Sequence, residues 1–387
     1  MPILPAQLWK RRLMQIAAFV LVSGFLLFGI AWLTAAIAFT GTDHSSYDAP
    51  RPKPAGLRTA ESAEHSANAQ AMAKAMANPP PEKGWQLLFI MRKYLDDRGE
   101  DANIDAEIRT VNADGVKAEW VIAPNADPGR RLLYIHGGGY VAGSSKSHRP
   151  IVCRFSEISR AAVLSIDYRL LPEHSRMAGI EDCRTGYKWI LENGPDGPSP
   201  ADVIIVAGDS SGGNLALSTV AWARDHQLRR ADAVVALCPQ TDATLASPSL
   251  RTNIESDVMQ GKSFGPVVKS PRFVSLWCMY LMHRINPSSS LVSPLLGDLS
   301  DLPPTLLQAS EAEMFLDDSI RYANKATTQG SLAVVQTWPF TMHVWHAFEV
   351  PEADEAFEEI RRFLAIHAPS NRPTISRRNG FGNNSED

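Results

Sequence analysis

Residues 203–225 read VIIVAGDSSGGNLALSTVAWARD. The run VIIVA at 203–207 is continuous, apolar and mostly β-branched, the signature of a strand buried on both faces. A helical pattern follows over 212–226. Between the two lies Gly208-Asp209-Ser210-Ser211-Gly212-Gly213, which contains Gly-x-Ser-x-Gly. A strand that feeds a helix through so sharp a turn strains the residue at its apex, and glycines on either side remove side chains that would clash there. Ser210 is therefore expected at a helix N-terminus with its hydroxyl exposed, the placement of a nucleophile.

Upstream, LLYI at 132–135 runs directly into His136-Gly137-Gly138-Gly139-Tyr140. Consecutive glycines let backbone N–H groups point into a cavity, where they can hold an oxyanion. A phosphate-cradling loop would need GxxxxGK[ST] or GxGxxG, and neither is present. Downstream, TLLQA at 305–309 leads to Ser310-Glu311-Ala312-Glu313-Met314-Phe315-Leu316-Asp317-Asp318, and LAVVQ at 332–336 leads to Met342-His343-Val344-Trp345-His346. A serine hydroxyl is a poor nucleophile at neutral pH and needs a histidine to take its proton and a carboxylate to orient that histidine. The chain order Ser…Asp/Glu…His is satisfied. Four carboxylates compete for the acid: Glu311, Glu313, Asp317 and Asp318. The last two precede a helical pattern, where negative charge favours the helix dipole.

Further strand-like runs lie at 106–111, 116–122, 162–166 and 234–238, the first two joined by Asn112-Ala113-Asp114-Gly115 as a hairpin. Helical patterns at 147–160, 178–193, 212–226, 317–329 and 352–367 fill the intervals. Apolar strands alternating with helices predict a mostly parallel sheet covered on both faces, with ligands at the carboxyl ends of the strands. Phe273, Leu276, Trp277, Tyr280 and Leu281 have amphipathic helical spacing and are expected to pack in a core or to floor an acyl pocket.

The 387-residue composition is that of a folded protein, with 44% hydrophobic and 21% charged residues and a net charge of −4, so no basic field points to nucleic acid. Four cysteines form no CxxC pair. Residues 13–39 are 27 positions without Asp, Glu, Lys, Arg or His, about 40 Å as a helix and longer than a hydrocarbon core of ~30 Å. Lys10, Arg11 and Arg12 precede this run, so the positive-inside rule makes 1–12 a cytoplasmic stub, 13–39 a transmembrane anchor and the remainder extracytoplasmic. The rival is a cleaved signal peptide ending near Ala36-Ile37-Ala38, although its apolar stretch is longer than the usual ~7–15 residues. Residues 40–82 read as a linker, 83–369 as one folded domain and 370–387 as a disordered tail.

The motifs resemble the hormone-sensitive-lipase-like branch of the α/β-hydrolases. That branch carries HGGG and, ~70 residues on, GDSAGG; here the second reads GDSSGG, with Ser211 for Ala. Asp167-Tyr168-Arg169-Leu170-Leu171-Pro172-Glu173-His174 matches a further family stretch, as do Ser293-Pro294-Leu295 and Leu302-Pro303-Pro304. The resemblance implies an α/β-hydrolase fold with an eight-stranded, mostly parallel sheet and a helical cap from 83–105 and 243–290. It implies a serine carboxylesterase or lipase acting on small acyl esters with no cofactor, no metal and no nucleic-acid partner. On matching positions Ser210 is the nucleophile, His343 the base, and Gly137, Gly138 and Ser211 the oxyanion donors. The family's D-x-L-x-D appears as Glu313-Met314-Phe315-Leu316-Asp317, which makes Glu313 the acid. Arg169, Glu173 and His174 are structural by this resemblance, and His346 lines the pocket. An amidase, deacetylase or lactonase uses the same machinery. A binding module akin to the plant gibberellin receptors lacks the histidine that stands here at 343.

Overall fold

In the computed structural model, which describes residues 6–49, 59–100 and 102–369, the eight expected strands form one sheet. They are β1 Glu107–Ala113, β2 Val116–Ile122, β3 Asp127–Ile135, β4 Ala161–Asp167, β5 Val203–Asp209, β6 Ala233–Leu237, β7 Thr305–Ser310 and β8 Ala333–Trp338. Their spatial order is β1-β2-β4-β3-β5-β6-β7-β8; β1–β2 and β2–β4 pair antiparallel and all other neighbours pair parallel. The β1–β2 turn is tighter than expected: Asn112 and Ala113 stay in register, and only Asp114 and Gly115 turn, both at positive φ. That conformation matches the right-handed twist of the flanking strands.

Side-chain alternation along the central strands divides the core in two. Leu133, Ile135, Ile204 and Val206 face α5 (Arg176–Glu192), α6 (Ser211–Asp225) and α8 (Leu316–Thr328). Leu132, Tyr134, Ile205 and Ala207 face α4 (Arg149–Ser159) and α9 (Pro351–His367). Both faces are therefore apolar, which explains why the strands read as continuous runs rather than alternating ones. The first helix, α1 (Ala6–Thr34), continues through a π-helical turn to Phe39. The stretch Trp9–Phe39 is long and apolar enough to cross a membrane; its most apolar window has a mean hydropathy of 2.4 and exposed side chains.

The stretch 40–82 was expected to be a tether, yet its described part is docked. Helix α2 (Ala63–Ala77) sits on the second core through Ala69 and Met72. Ser62 caps it, accepting from the His65 N–H at 3.0 Å, and donates its hydroxyl to Glu352 Oε2 at 2.7 Å. Asp48 forms an ion pair with Arg321. Apart from Met72, these contacts use small and polar residues, so no large apolar pattern advertised them. Residues 50–58 and the tail 370–387 lie outside the described residues.

The two expected cap segments hold α3 (Trp85–Glu100) and α7 (Arg272–His283), the latter preceded by three short helices. Ala243, Leu250, Ile254, Val268 and Met279 form a small separate core with Met314 and Phe315. Helix α7 turns its aromatic residues to the N-terminal helix. Phe273 meets Phe28 edge-on at 5.4 Å, Tyr280 stacks on Phe39 at 5.0 Å, and Trp277 Nε1 donates to the Ala31 carbonyl at 2.9 Å. An amphipathic pattern states that a helix has an apolar face but not which apolar surface it meets; here that surface is the end of the N-terminal helix.

Ser62→Ala removes the α2 cap and one partner of the buried Glu352 carboxylate. It should lower unfolding free energy by about 1–2 kcal/mol, read as a lower urea midpoint of the detergent-solubilised chain.

Candidate active site

The apex of the β5–α6 turn is strained as the sequence requires. Ser210 has φ 51° and ψ −120°, and its N–H donates to the Leu237 carbonyl at 2.7 Å. A β-carbon on Gly208 would lie 2.6 Å from the Ile135 carbonyl, and one on Gly212 would strike the same oxygen. Only glycine lets β3 and the elbow approach this closely.

The Ser210 hydroxyl oxygen lies 2.9 Å from His343 Nε2. On its other side, His343 Nδ1 is in short contact with Glu313 Oε2. With Ser210 donating to Nε2, Nδ1 carries the proton and donates to Glu313. The second Glu313 oxygen accepts from the Ser310 N–H at 2.9 Å, and Glu313 is fully buried. The other three carboxylates lie elsewhere. Glu311 accepts from Thr337 Oγ1 at 3.1 Å and Asp317 from the Ser249 N–H at 2.7 Å. Asp318 does stand in the first turn of α8, but it is buried and accepts from the Thr241 and Asp242 N–H groups at 2.6 and 3.0 Å. Burial first, and then neighbouring Asp242, raise the Asp318 carboxyl to about 7. It ties the loop after β6 to α8 rather than simply charging a helix terminus.

The glycine loop corrects one expectation. Gly137 was expected to be an oxyanion donor, but its N–H donates to Asp209 Oδ1 at 3.0 Å. No hydrogen-bond partner for the Gly138, Gly139 or Ser211 N–H groups is found among the described residues, so Gly139 replaces Gly137 in the candidate set. Asp209 also accepts from Tyr134 Oη at 2.7 Å and lies 3.5 Å from His148 Nε2. Burial works to raise its carboxyl, but the His148 charge and the hydrogen bonds from His148 and Tyr134 prevail and hold it at about 2. Asp209 stands in the motif beside Ser210, but its neighbours on β3 and in the loop before α4 reach it only in the fold.

Several other residues were not legible in advance. The Met342 N–H donates to His65 Nε2 at 3.0 Å, which pins the residue before His343 to helix α2. Asn253 Nδ2 donates to the Glu311 and Glu313 carbonyls at 2.9 Å each, and Asp257 accepts from the Met314 N–H at 2.9 Å. His346 is not a pocket neighbour. It is buried, its Nε2 lies 2.9 Å from Gln308 Oε1, and its ring packs on Trp345. Arg169 pairs with Asp182, Glu173 pairs with Arg92 of α3, and His174 is exposed, so none of the three approaches Ser210 through these contacts.

A family model described as alpha/beta hydrolase fold matches residues 132–347. The chain belongs to the α/β-hydrolase family. An acetyl-hydrolase of Streptomyces hygroscopicus is 32% identical over 249 residues, 64% of this chain and 79% of that protein. An esterase of Acinetobacter venetianus is 32% identical over 267 residues, 67% of this chain and 82% of that protein. A crystal structure of an esterase from the bacterial hormone-sensitive lipase family superposes with a TM-score of 0.69 at 30% identity, covering 80% of this chain and 99% of that one. Within the α/β-hydrolases, this chain falls in the hormone-sensitive-lipase-like branch.

Among the described residues, one group offers metal-ligating atoms within 4.8 Å of each other: Cys238, Glu313 and His343. Its chemistry suits a hydrogen-bonded hydrolase site better than a cation. Burial, and then the Glu313 charge, push the Cys238 thiol well up, as for a neutral buried side chain. The Cys238 sulfur also accepts from the Val344 N–H at 3.3 Å.

Burial works to lower the His343 imidazole, but the Glu313 hydrogen bond and charge outweigh it and raise it above its ordinary 6.5. His343 should therefore be half-protonated above pH 6.5, and in Glu313→Gln, where only the more distant Asp257 and Asp209 charges still oppose burial, at a lower pH than in the unsubstituted protein. Imidazole NMR titration of the two proteins checks the order; an unchanged midpoint would show that Glu313 carries no charge beside the ring.

Proposed function

We propose that the chain is a membrane-anchored carboxylic ester hydrolase that works by two-step acyl transfer through Ser210, His343 and Glu313. The observation that carries this reading is the 2.9 Å contact between His343 Nε2 and Ser210 Oγ, at a strained elbow, with the opposite ring nitrogen on a buried carboxylate. The esterase and acetyl-hydrolase names of the relatives support it.

The Ser210 Oγ–H proton passes to His343 Nε2 as the oxygen attacks the ester carbonyl. The carbonyl oxygen becomes an oxyanion, held by the Gly138, Gly139 and Ser211 N–H groups. Because the glycine backbone is fixed by Gly137 on Asp209, these donors need no reorganisation when charge develops. The His343 imidazolium, stabilised by Glu313, gives its proton to the departing alkoxide and leaves an acyl-Ser210 ester. Water then enters and loses a proton to Nε2, its oxygen attacks the acyl carbon, and the collapsing intermediate releases the acid while the proton returns to Ser210 Oγ.

In this reading residues 13–39 are an uncleaved anchor and the hydrolase domain is extracytoplasmic. Lys10, Arg11 and Arg12 before the apolar stretch support that orientation. The docking of Ala35 and Phe39 against Leu276 supports retention, since cleavage near Ala38 would strip part of that contact.

Ser210→Ala should lower kcat on p-nitrophenyl acyl esters by ~10⁴-fold or more with an unchanged circular dichroism spectrum. Glu313→Gln should cost several orders of magnitude, and Glu311→Gln little. Near-normal turnover by Ser210→Ala would remove the serine mechanism altogether.

A further inference from the structure

Arg176 stands where its own helix gains nothing from it. It is the first residue of α5, at the end where partial positive charge gathers, and it is only 2% exposed. Burying a guanidinium is costly unless it is ion-paired or fully hydrogen-bonded. Among the described residues its partners are uncharged. Nη2 donates to Asn214 Oδ1 at 3.0 Å, the guanidinium carbon lies 3.8 Å from the centre of the Tyr140 ring, and Nε finds no acceptor. The stability of α5 does not account for a cation at this position.

Its two partners belong to the two arms of the candidate oxyanion hole. Tyr140 directly follows Gly138 and Gly139, and Asn214 lies in the first turn of α6, where its N–H donates to the Ser210 carbonyl at 3.1 Å. The glycines offer the fold no side chain to grip. Gly138, Gly139 and Tyr140 all stand at positive φ, 109°, 63° and 67°. Glycine adopts such angles freely; tyrosine persists there only where its surroundings hold it. The buried Tyr140 ring has Arg176 on its face and His283, the last residue of α7, edge-on at 5.4 Å. His283 adds no charge, because burial first, and then the Arg176 charge, push its imidazole down to about 3. A cation on a ring face is attracted more strongly when both are out of water. On the other arm, Asn214 Nδ2 donates to the Gln240 and Val292 carbonyls at 2.8 and 2.9 Å, which orients Oδ1 toward Arg176.

We propose that Arg176 is a positioning residue of the oxyanion hole: by holding the Tyr140 ring and Asn214 together, it fixes the Gly138 and Gly139 N–H groups relative to that of Ser211. The proposal rests on the reading of the site as an ester hydrolase and adds a residue that acts through Tyr140 and Asn214 rather than on the reacting atoms. The sheet already pairs the two arms at their roots, Ile135 opposite Gly208. Arg176 joins them again beyond the donors, after Gly139 on one arm and after Ser211 on the other. A loop tied only at its root swings at its tip, and a donor displaced by a fraction of an ångström forfeits part of its hold on the transition state. A neutral aliphatic side chain at 176 would fill the same space without gripping either arm.

The detergent-solubilised full chain tests this, with reactive serines counted by the p-nitrophenol released from a p-nitrophenyl phosphonate. Misfolding lowers that count; misplaced donors lower kcat per counted site. Per site, Arg176→Met should lower kcat on p-nitrophenyl acetate about 10- to 100-fold with KM within about twofold. Affinity for a trifluoromethyl ketone, whose adduct with Ser210 carries the oxyanion, should fall by the same factor as kcat/KM. Tyr140→Leu should show the same split, and it carries the test alone if Arg176→Met does not fold. The double variant should lose no more than the worse single one, because both cut one link. Near-normal kcat per site, unchanged ketone affinity, or losses that multiply in the double variant would each overturn the proposal. A serine count of zero in the unsubstituted protein would instead strike the hydrolase reading. Amide hydrogen exchange over residues 136–143 would then still judge the clamp: exchange should be faster in the variant, and equal exchange overturns it.

Discussion

The close approach of β3 to the β5–α6 turn is the constraint on which the rest of the molecule depends. Gly208 and Gly212 abut the Ile135 carbonyl, and that contact forces Ser210 to φ 51°. Such a conformation costs of order 1–3 kcal/mol and persists only where surroundings over-determine it. Here they do: the Ser210 N–H is held by the end of β6, and both flanking strands are buried on two faces. The same approach brings Asp209 against the loop that leaves β3, where its carboxylate takes the Gly137 N–H and the Tyr134 hydroxyl. One contact thus sets both the direction of the serine and the shape of the glycine loop.

What the sequence made legible follows from range. Strand runs, helix periods and the elbow are local patterns, and they appear where expected, including the two antiparallel strands that start the sheet. The choice of Glu313 among four carboxylates rested on a family spacing, and the structure brings that carboxylate to His343. The failures concern partners far away in the chain. Nothing near Gly137 in sequence reveals that an aspartate 72 positions on takes its N–H. Nothing in the Ala-rich stretch reveals that His65 accepts from Met342, or that Ser62 binds Glu352. The aromatic face of α7 was legible as apolar but not as the seat of the N-terminal helix.

Those distant partners share a pattern. The loop bearing Glu313 is held by Asn253 and Asp257, which lie in the segment between β6 and β7 that also contains α7. The loop bearing His343 is held by His65 on α2. Both supports come from segments outside the sheet, and both segments touch the N-terminal part of the chain or belong to it. The sheet alone delivers Ser210; Glu313 and His343 are steadied by pieces added around it. Loops at the carboxyl ends of strands are the least constrained parts of such a sheet, so packing against them is what keeps a constellation within a fraction of an ångström.

Glutamate at position 313 shows how that steadying works in detail. A side chain one methylene longer than aspartate overshoots His343 unless its backbone stands farther back. The turn after β7 supplies the distance. It folds back at once, so that Glu313 Oε1 returns to the Ser310 N–H at the end of the strand it has just left. Ser310 Oγ meanwhile donates to the Thr341 carbonyl and accepts from the Ala312 N–H, tying this turn to the histidine loop. One carboxylate oxygen is thereby anchored on β7 and the other is left for His343 Nδ1. A carboxylate fixed at one oxygen loses little further freedom when a neighbouring imidazole becomes charged, so its attraction to the ring is not spent on reorienting the carboxylate. The extra methylene is the length that lets one side chain reach both its own strand end and the ring.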